Sequence, residues 1–343
     1  MPGDLYTVCA YYSAAGKDTF LATIKCGGAY KRQQERQVSR VDPIMARLPR
    51  LVSSLQVKAN PANRDLYVID DKSKVLRFVR SRKYEPEVVR GIAADAVALT
   101  VDVTGRWLAV GSVGGVVQVL PTDGDGRGQN YKISGEVKSN LSFARTASPT
   151  QPPVLAVGSS DGSVHVLRPK NYLCCEPSRR NDQVVGVAVP NPMTIAAICT
   201  TEFGWTVTIW DATTGAEAMY LNLGVNPFVP RNNRRAKIEV IGNRLYVVTG
   251  SWLAEIDLVR REMRQRRLDS PITSLLVDDQ NSRLYIATWE GMTGYLDGDI
   301  GSALNGIEYI AGASQETVDL FMFYGMPRMF TEPSSPASRR DPW

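Results

Sequence analysis

The chain has 343 residues, 43% hydrophobic and 22% charged, with a mean hydropathy of −0.18; this fits a globular chain with a large core and excludes wholesale disorder. A formal net charge of +5 permits an acidic partner or nucleic acid without demanding either. The five cysteines show no CxxC spacing and suggest a reducing compartment rather than disulfides or zinc, and the lone histidine, His165, excludes most familiar imidazole-dependent sites.

At the N-terminus, MPGDLYTVCAYYSAAGKD lacks the basic and apolar regions of a signal peptide, and no apolar run approaches a membrane span. A soluble intracellular protein, cytoplasmic or nuclear and without membrane insertion, is expected. LYTVCAYYS (5–13) and DTFLATIKC (18–26) read as strands, followed by a basic strand within 31–41. Between the first two, AAGKDT (14–19) imitates part of a phosphate loop. The GxxxxGK[ST] pattern fails, however, because Asp18 replaces the hydroxyl residue and no glycine stands five positions before Gly16. A hairpin turn is expected there.

From residue 52 the chain adopts a rhythm of apolar strand, turn, apolar strand, tight turn, apolar strand. It runs through VSSLQVKANPANRDLYVIDDKSKVLRFVR (52–80), AVALTVDVTGRWLAVGSVGGVVQVL (96–120) and LSFARTASPTQPPVLAVGSSDGSVHVL (141–167). A copy over 184–224 adds a fourth strand, and KIEVIGNRLYVVTGSWLAEIDL (237–258) and ITSLLVDDQNSRLYIATWEGMTGYLD (272–297) continue the series. The strands are rich in Val, Ile, Leu and Tyr, and Gly, Asn, Asp and Pro punctuate them. Several, such as WLAV and VVQVL, are apolar on nearly every residue, which implies burial on both faces.

A period of about 40 to 45 residues with four strands per unit is the range of propeller blades. Units are placed at 52–90, 96–137, 141–178, 184–224, 237–268 and 272–311. ETVDLFMFYG (316–325) reads as a first strand without successors, whereas the strands of 5–41 lack a first strand. Joining them predicts an all-β, seven-bladed β-propeller over 1–330, its ring closed by pairing a C-terminal strand with N-terminal strands. TEPSSPASRRDPW (331–343) is expected to be a disordered tail.

Pieces of this rhythm resemble WD-repeat proteins. VDVTGRWLAVGS (101–112), VGSSDGSVHVL (157–167) and TVTIWD (206–211) are similar to the family's FSPDG-x-x-LA-x-GS and x-DG-x-V-x-V-WD stretches. The resemblance implies a propeller that serves as an interaction platform, with binding surfaces on two faces and a rim. It also implies a buried Asp-His-Ser-Trp network in blades that carry the full pattern. Ser159 and Asp161 match two members, but Leu167 replaces Trp and the Gly-His pair is absent, so apolar packing is expected to dominate.

Other motifs read as turns. Asp70-Asp71 and Asp278-Asp279 fall where strands meet turns, and adjacent strand residues point to opposite faces. DGDGRG (123–128) lacks the bidentate Glu of a Ca²⁺ loop, and WDATTGAE (210–217) carries the Asp and Gly that a tight turn needs. Gly114-Gly115 are expected to supply positive dihedrals in a hairpin rather than a phosphate nest. No catalytic, cofactor or metal site is assigned.

The functional clue is basic. RREMRQRR (260–267) places Arg260, Arg261, Arg264, Arg266 and Arg267 on an expected outer fourth strand, and RNNRR (231–235) adds Arg231, Arg234 and Arg235. KRQQERQVSR (31–40) and RSRKY (80–84) extend the set, and Trp343 is a candidate anchor in the tail. The expected function is a non-catalytic scaffold binding other protein subunits of an intracellular complex. The alternative is an RNA-associated subunit whose rim contacts phosphates.

Overall fold

The structure, a computed structural model, describes the backbone of 4–12, 18–26, 42–49, 305–309 and 315–323 and, with side chains, most of 56–303; the longest stretches outside the described residues are 27–41, 224–235 and 324–343. The strands begin with β1 (Asp4–Tyr12), β2 (Asp18–Cys26) and β3 (Asp42–Pro49). Blade one holds β4 (Val57–Ala59), β5 (Leu66–Ile69), β6 (Val75–Val79) and β7 (Glu85–Val88). Blade two holds β8 (Ala96–Val101), β9 (Trp107–Ser112), β10 (Val116–Pro121) and β11 (Gln129–Lys132). Blade three holds β12 (Val137–Phe143), β13 (Leu155–Ser159), β14 (Val164–Arg168) and β15 (Asn171–Cys175).

Blade four holds β16 (Gln183–Asn191), β17 (Thr194–Thr201), β18 (Gly204–Asp211) and β19 (Glu217–Asn222). Blade five holds β20 (Ala236–Ile241), β21 (Arg244–Thr249), β22 (Trp252–Asp257) and β23 (Glu262–Arg267), and blade six holds β24 (Ile272–Asp278), β25 (Arg283–Thr288), β26 (Met292–Asp297) and β27 (Asn305–Tyr309). β28 (Gln315–Phe323) ends the described chain. Each blade is one four-stranded antiparallel sheet in sequential order.

First strands of successive blades lie side by side, β4 by β8, β8 by β12, β12 by β16, β16 by β20 and β20 by β24. The sheets therefore stack face to face, and each contributes apolar side chains to two interfaces. Blade four shows the pattern. Ile195, Ala197, Cys199 and Trp210 pack against Val164, Val166 and Cys175 of blade three, while Ala196, Ile198, Val207 and Ile209 pack against Ile238, Leu245 and Val247 of blade five. This is why the second and third strands are buried along most of their length, on both faces. Fourth strands are polar, as in β23, where exposed charge discourages edge pairing.

Three expectations need correction. Six blades, not seven, are described through their core side chains; beside them, a further sheet with the order β28-β1-β2-β3 is described by backbone register alone. The third N-terminal strand is Asp42–Pro49 rather than a basic segment within 31–41, which lies outside the described residues. Its sequence DPIMARLP offers an apolar alternation that KRQQERQVSR lacks. Blade three begins at Val137, so the unit placed at 96–137 runs one residue into its neighbour and the unit at 141–178 starts late.

Candidate functional site

The acidic motifs are absorbed by turns. Asp70 Oδ1 accepts from the amides of Lys72 (2.9 Å) and Lys74 (2.7 Å). Buried Asp102 accepts from the amides of Trp107 (2.7 Å) and Thr104 (3.1 Å). In the WD dipeptide, Asp211 accepts from the amides of Thr213 (2.7 Å) and Thr214 (3.1 Å), and Gly215 completes the turn at φ 75°. Hydrogen bonds from Thr213 hold the Asp211 carboxyl below the usual range. Asp278 is buried at the end of β24, whereas Asp71, Asp279, residues 125–127 and residues 14–17, which join paired β1 and β2, lie outside the described residues.

His165 is fully buried in β14. The Ser163 hydroxyl donates to Asp161 Oδ1 (2.5 Å), so at its 2.9 Å contact with His165 Nε2 it accepts, and Nε2 carries the proton. Nδ1 then accepts from the Tyr172 hydroxyl (2.9 Å), whose ring stacks on the imidazole at 5.5 Å. The polar network expected to be missing is thus rewired, with Tyr172 and Ser163 joined through an imidazole from within the strand. Burial pushes the Asp161 carboxyl up, but the hydrogen bonds from Ser163 and Ser159 outweigh that and hold it below the usual range.

Burial also pushes the His165 pKa below its ordinary 6.5, against the pull of the Asp161 carboxylate and the Ser134 carbonyl. A depressed folded pKa means that the unfolded chain protonates first as pH falls. Stability from the neutral imidazole is complete above about pH 6.5 and is lost as pH drops from there toward the folded pKa. In urea titrations the unfolding free energy is expected to fall by at most about 1.4 kcal/mol per pH unit in that window. His165→Phe removes this slope; an unchanged slope in that variant refutes the assignment.

The basic strand is divided by its own alternation. Arg264 and Arg266 face blade six, where Arg264 Nη1 lies 3.6 Å from Asp299 Oδ2 and Arg266 Nη1 donates to the carbonyls of Ile300 (3.1 Å) and Ser302. Gln265, on the other side, donates to the Leu223 carbonyl (3.0 Å) beside blade four. Arg260 and Arg261 belong to the turn before β23 rather than to the strand, with Arg261 at φ 59°. Arg260, Arg261 and Arg267 are exposed and form no ion pair among the described residues, while the Arg260 amide bond and then the Arg260 charge help to hold the Asp257 carboxyl below the usual range. Arg231, Arg234, Arg235 and Trp343 lie outside the described residues.

No feature of the strand pattern points to Arg145. It follows β12, and its guanidinium donates to the carbonyls of Val240 (2.8 Å) and Val277 (2.9 Å) in blades five and six. Because β16 lies between β12 and β20, the side chain crosses the interior of the ring. One residue thereby links three blades.

No protein-family model and no curated protein matches this sequence. Solved structures do. A chain in the crystal structure of the mitotic checkpoint complex superposes with a TM-score of 0.58 at 14% identity, over 78% of this chain and 82% of that one. The β-propeller domain of Myceliophteria thermophila Cps50 (Swd1) gives 0.54 at 10% identity, over 76% and 88%. The chain has the fold of a WD-repeat β-propeller. In this propeller, the turns joining first to second and third to fourth strands gather at one end of the ring, because all first strands run in one direction. Val103, Met193 and Val259, three exposed apolar side chains, stand on such turns, and so does Arg260. Among the described residues no helix is long and apolar enough to cross a membrane.

Proposed function

We propose that this propeller is a non-catalytic platform, a subunit of an intracellular multiprotein assembly, cytoplasmic or nuclear, that holds partner proteins on its ends and rim. The observation that carries the reading is the division of polar chemistry. Asp102, Asp211, Asp161 and His165 are bonded into turns and cores, whereas apolar and cationic side chains stand exposed at turn tips. The similar chain in the mitotic checkpoint complex belongs to an assembly, which agrees with this use of the fold.

The proposal includes closure of the ring by the C-terminal strand on the N-terminal strands and a single domain over 1–330. It is supported by the pairing of β28 with β1 and by the position of β28 beside both β24 and β4. The tail over 331–343, with Trp343, is proposed as an extra partner contact. An RNA-binding rim is less well supported, since Arg264 and Arg266 are engaged by blade six. Native fractionation of cell extract is expected to place the protein well above its 37.7 kDa monomer mass. Elution as a lone monomer overturns the platform reading.

A further inference from the structure

We infer that the cleft between blades five and six is a docking site for an extended acidic segment of a partner protein, in which one carboxylate side chain is followed by an apolar one. The inference rests on the platform reading and gives it a location. The cleft has a volume of about 380 Å³, near the lower end of ligand-sized cavities and suited to one or two side chains. Ile241, Tyr246 and Val259 supply its apolar lining, and Arg244, Asp257 and Arg260 its charges.

Its floor is fixed. The Gly298 carbonyl accepts from Arg244 Nη1 (2.9 Å) and from the Tyr246 hydroxyl (3.2 Å), which ties the last turn of blade six to blade five. Arg244 Nη1 also lies 3.3 Å from buried Glu255 Oε1, and Glu255 Oε2 accepts from the Ile300 amide (3.3 Å). The charge of Arg244 is thus balanced beneath the cleft.

The wall is equally preset. Asp257 Oδ1 accepts from the amides of Val259 and Arg260 (2.9 Å each), and the Arg261 amide donates to the Asp257 carbonyl (2.8 Å). These bonds aim a turn outward with Val259 71% exposed, the highest value among the exposed large hydrophobics described. Beside it the Arg260 guanidinium has no acceptor among the described residues. After the bond from the Arg260 amide, its charge also helps to hold the Asp257 carboxyl below the usual range, but the guanidinium itself forms no ion pair there. A rigid site with an apolar ledge and one cation outside any ion pair needs little ordering on binding.

Charge complementarity selects the occupant. One carboxylate satisfies Arg260, and the apolar side chain that follows it covers Val259 and reaches Ile241. A phosphodiester chain instead brings a charge on every unit against Asp257 and leaves Val259 facing polar groups. The two classes of ligand therefore differ in what they ask of Val259.

The test uses the full chain and fluorescein-labelled hexapeptides with a central Glu-Leu or Asp-Val pair, their Gln and Asn counterparts, and a single-stranded RNA of matched length. At low salt, the acidic peptides are expected to bind about tenfold tighter than their amide counterparts, and Arg260→Glu to remove about tenfold of that affinity. Val259→Asp weakens peptide binding similarly, while Arg267→Glu, an exposed arginine outside the cleft, leaves it unchanged. Absence of peptide binding, equal weakening by Arg267→Glu, or RNA binding that falls with both Arg260→Glu and Val259→Asp overturns the inference. Native fractionation separates the two readings. High-mass elution that persists in Arg260→Glu and Val259→Asp, without peptide binding, overturns the cleft alone, whereas monomeric elution of the unaltered protein overturns the platform.

Discussion

Replacing Gly115 by alanine is expected to destabilise the propeller by about 2–5 kcal/mol, whereas Gly114→Ala one residue earlier stays within about 0.5 kcal/mol. Gly115 adopts φ 72°, where an L side chain costs about 1–2 kcal/mol. An added Cβ would also stand 2.4 Å from the Gly135 carbonyl oxygen. That backbone has little room to retreat, because Gly135 is itself at φ 72° and its own Cβ position lies 2.4 Å from Ser159 Oγ in blade three. Forcing the turn outward adds about 1–3 kcal/mol of overpacking. At Gly114 the nearest atom to an added Cβ is Ser112 Oγ at 3.9 Å, an ordinary contact. Urea unfolding midpoints at matched protein concentration measure both, and equal losses refute the distinction. The expectation that both glycines supply positive dihedrals is corrected here, since Gly115 alone carries one.

The hairpin itself was legible in GRWLAVGSVGGVVQVL. Strands buried on both faces read as nearly continuous apolar runs, and β9 and β10 fall on WLAVGS and VVQVLP with the glycines between them. The start of blade three was hidden because the pairing of β12 with β13 shifts register between Val137 and Leu141. Such an irregularity breaks the period of two on which strand reading depends. In the His165 network, Asp161, Ser163 and His165 recur two residues apart along the chain, a local spacing that places the hydroxyl between a carboxylate and an imidazole. Ser134 and Tyr172 come from other segments, and no local spacing brings them in. The cleft is harder still to read, as its walls come from turns of two blades. The one local hint is Val259, an apolar residue in the charged turn LVRR, where a solvated turn has no need of it.

Arg145→Ala is expected to lower the unfolding free energy by about 2–3 kcal/mol, and Arg145→Lys by roughly half as much. Each hydrogen bond from a charged group contributes about 1.5–3 kcal/mol, and partial exposure of this site argues for the lower end. Lysine retains the charge but concentrates its donors on one nitrogen, so it cannot span the Val240 and Val277 carbonyls that the guanidinium fork joins at 2.8 and 2.9 Å. The position of this contact matters as much as its strength. Stacked blades otherwise touch chiefly their neighbours, so their stability is close to a sum of adjacent terms. A tie from blade three to blades five and six adds a term that bypasses blade four, and its loss should reach amides that Arg145 does not touch. Hydrogen exchange in Arg145→Ala is expected to accelerate in both β20 and β24 while β8 is unaffected. A change confined to blade three, or a stability loss under about 0.5 kcal/mol, refutes the cross-ring role.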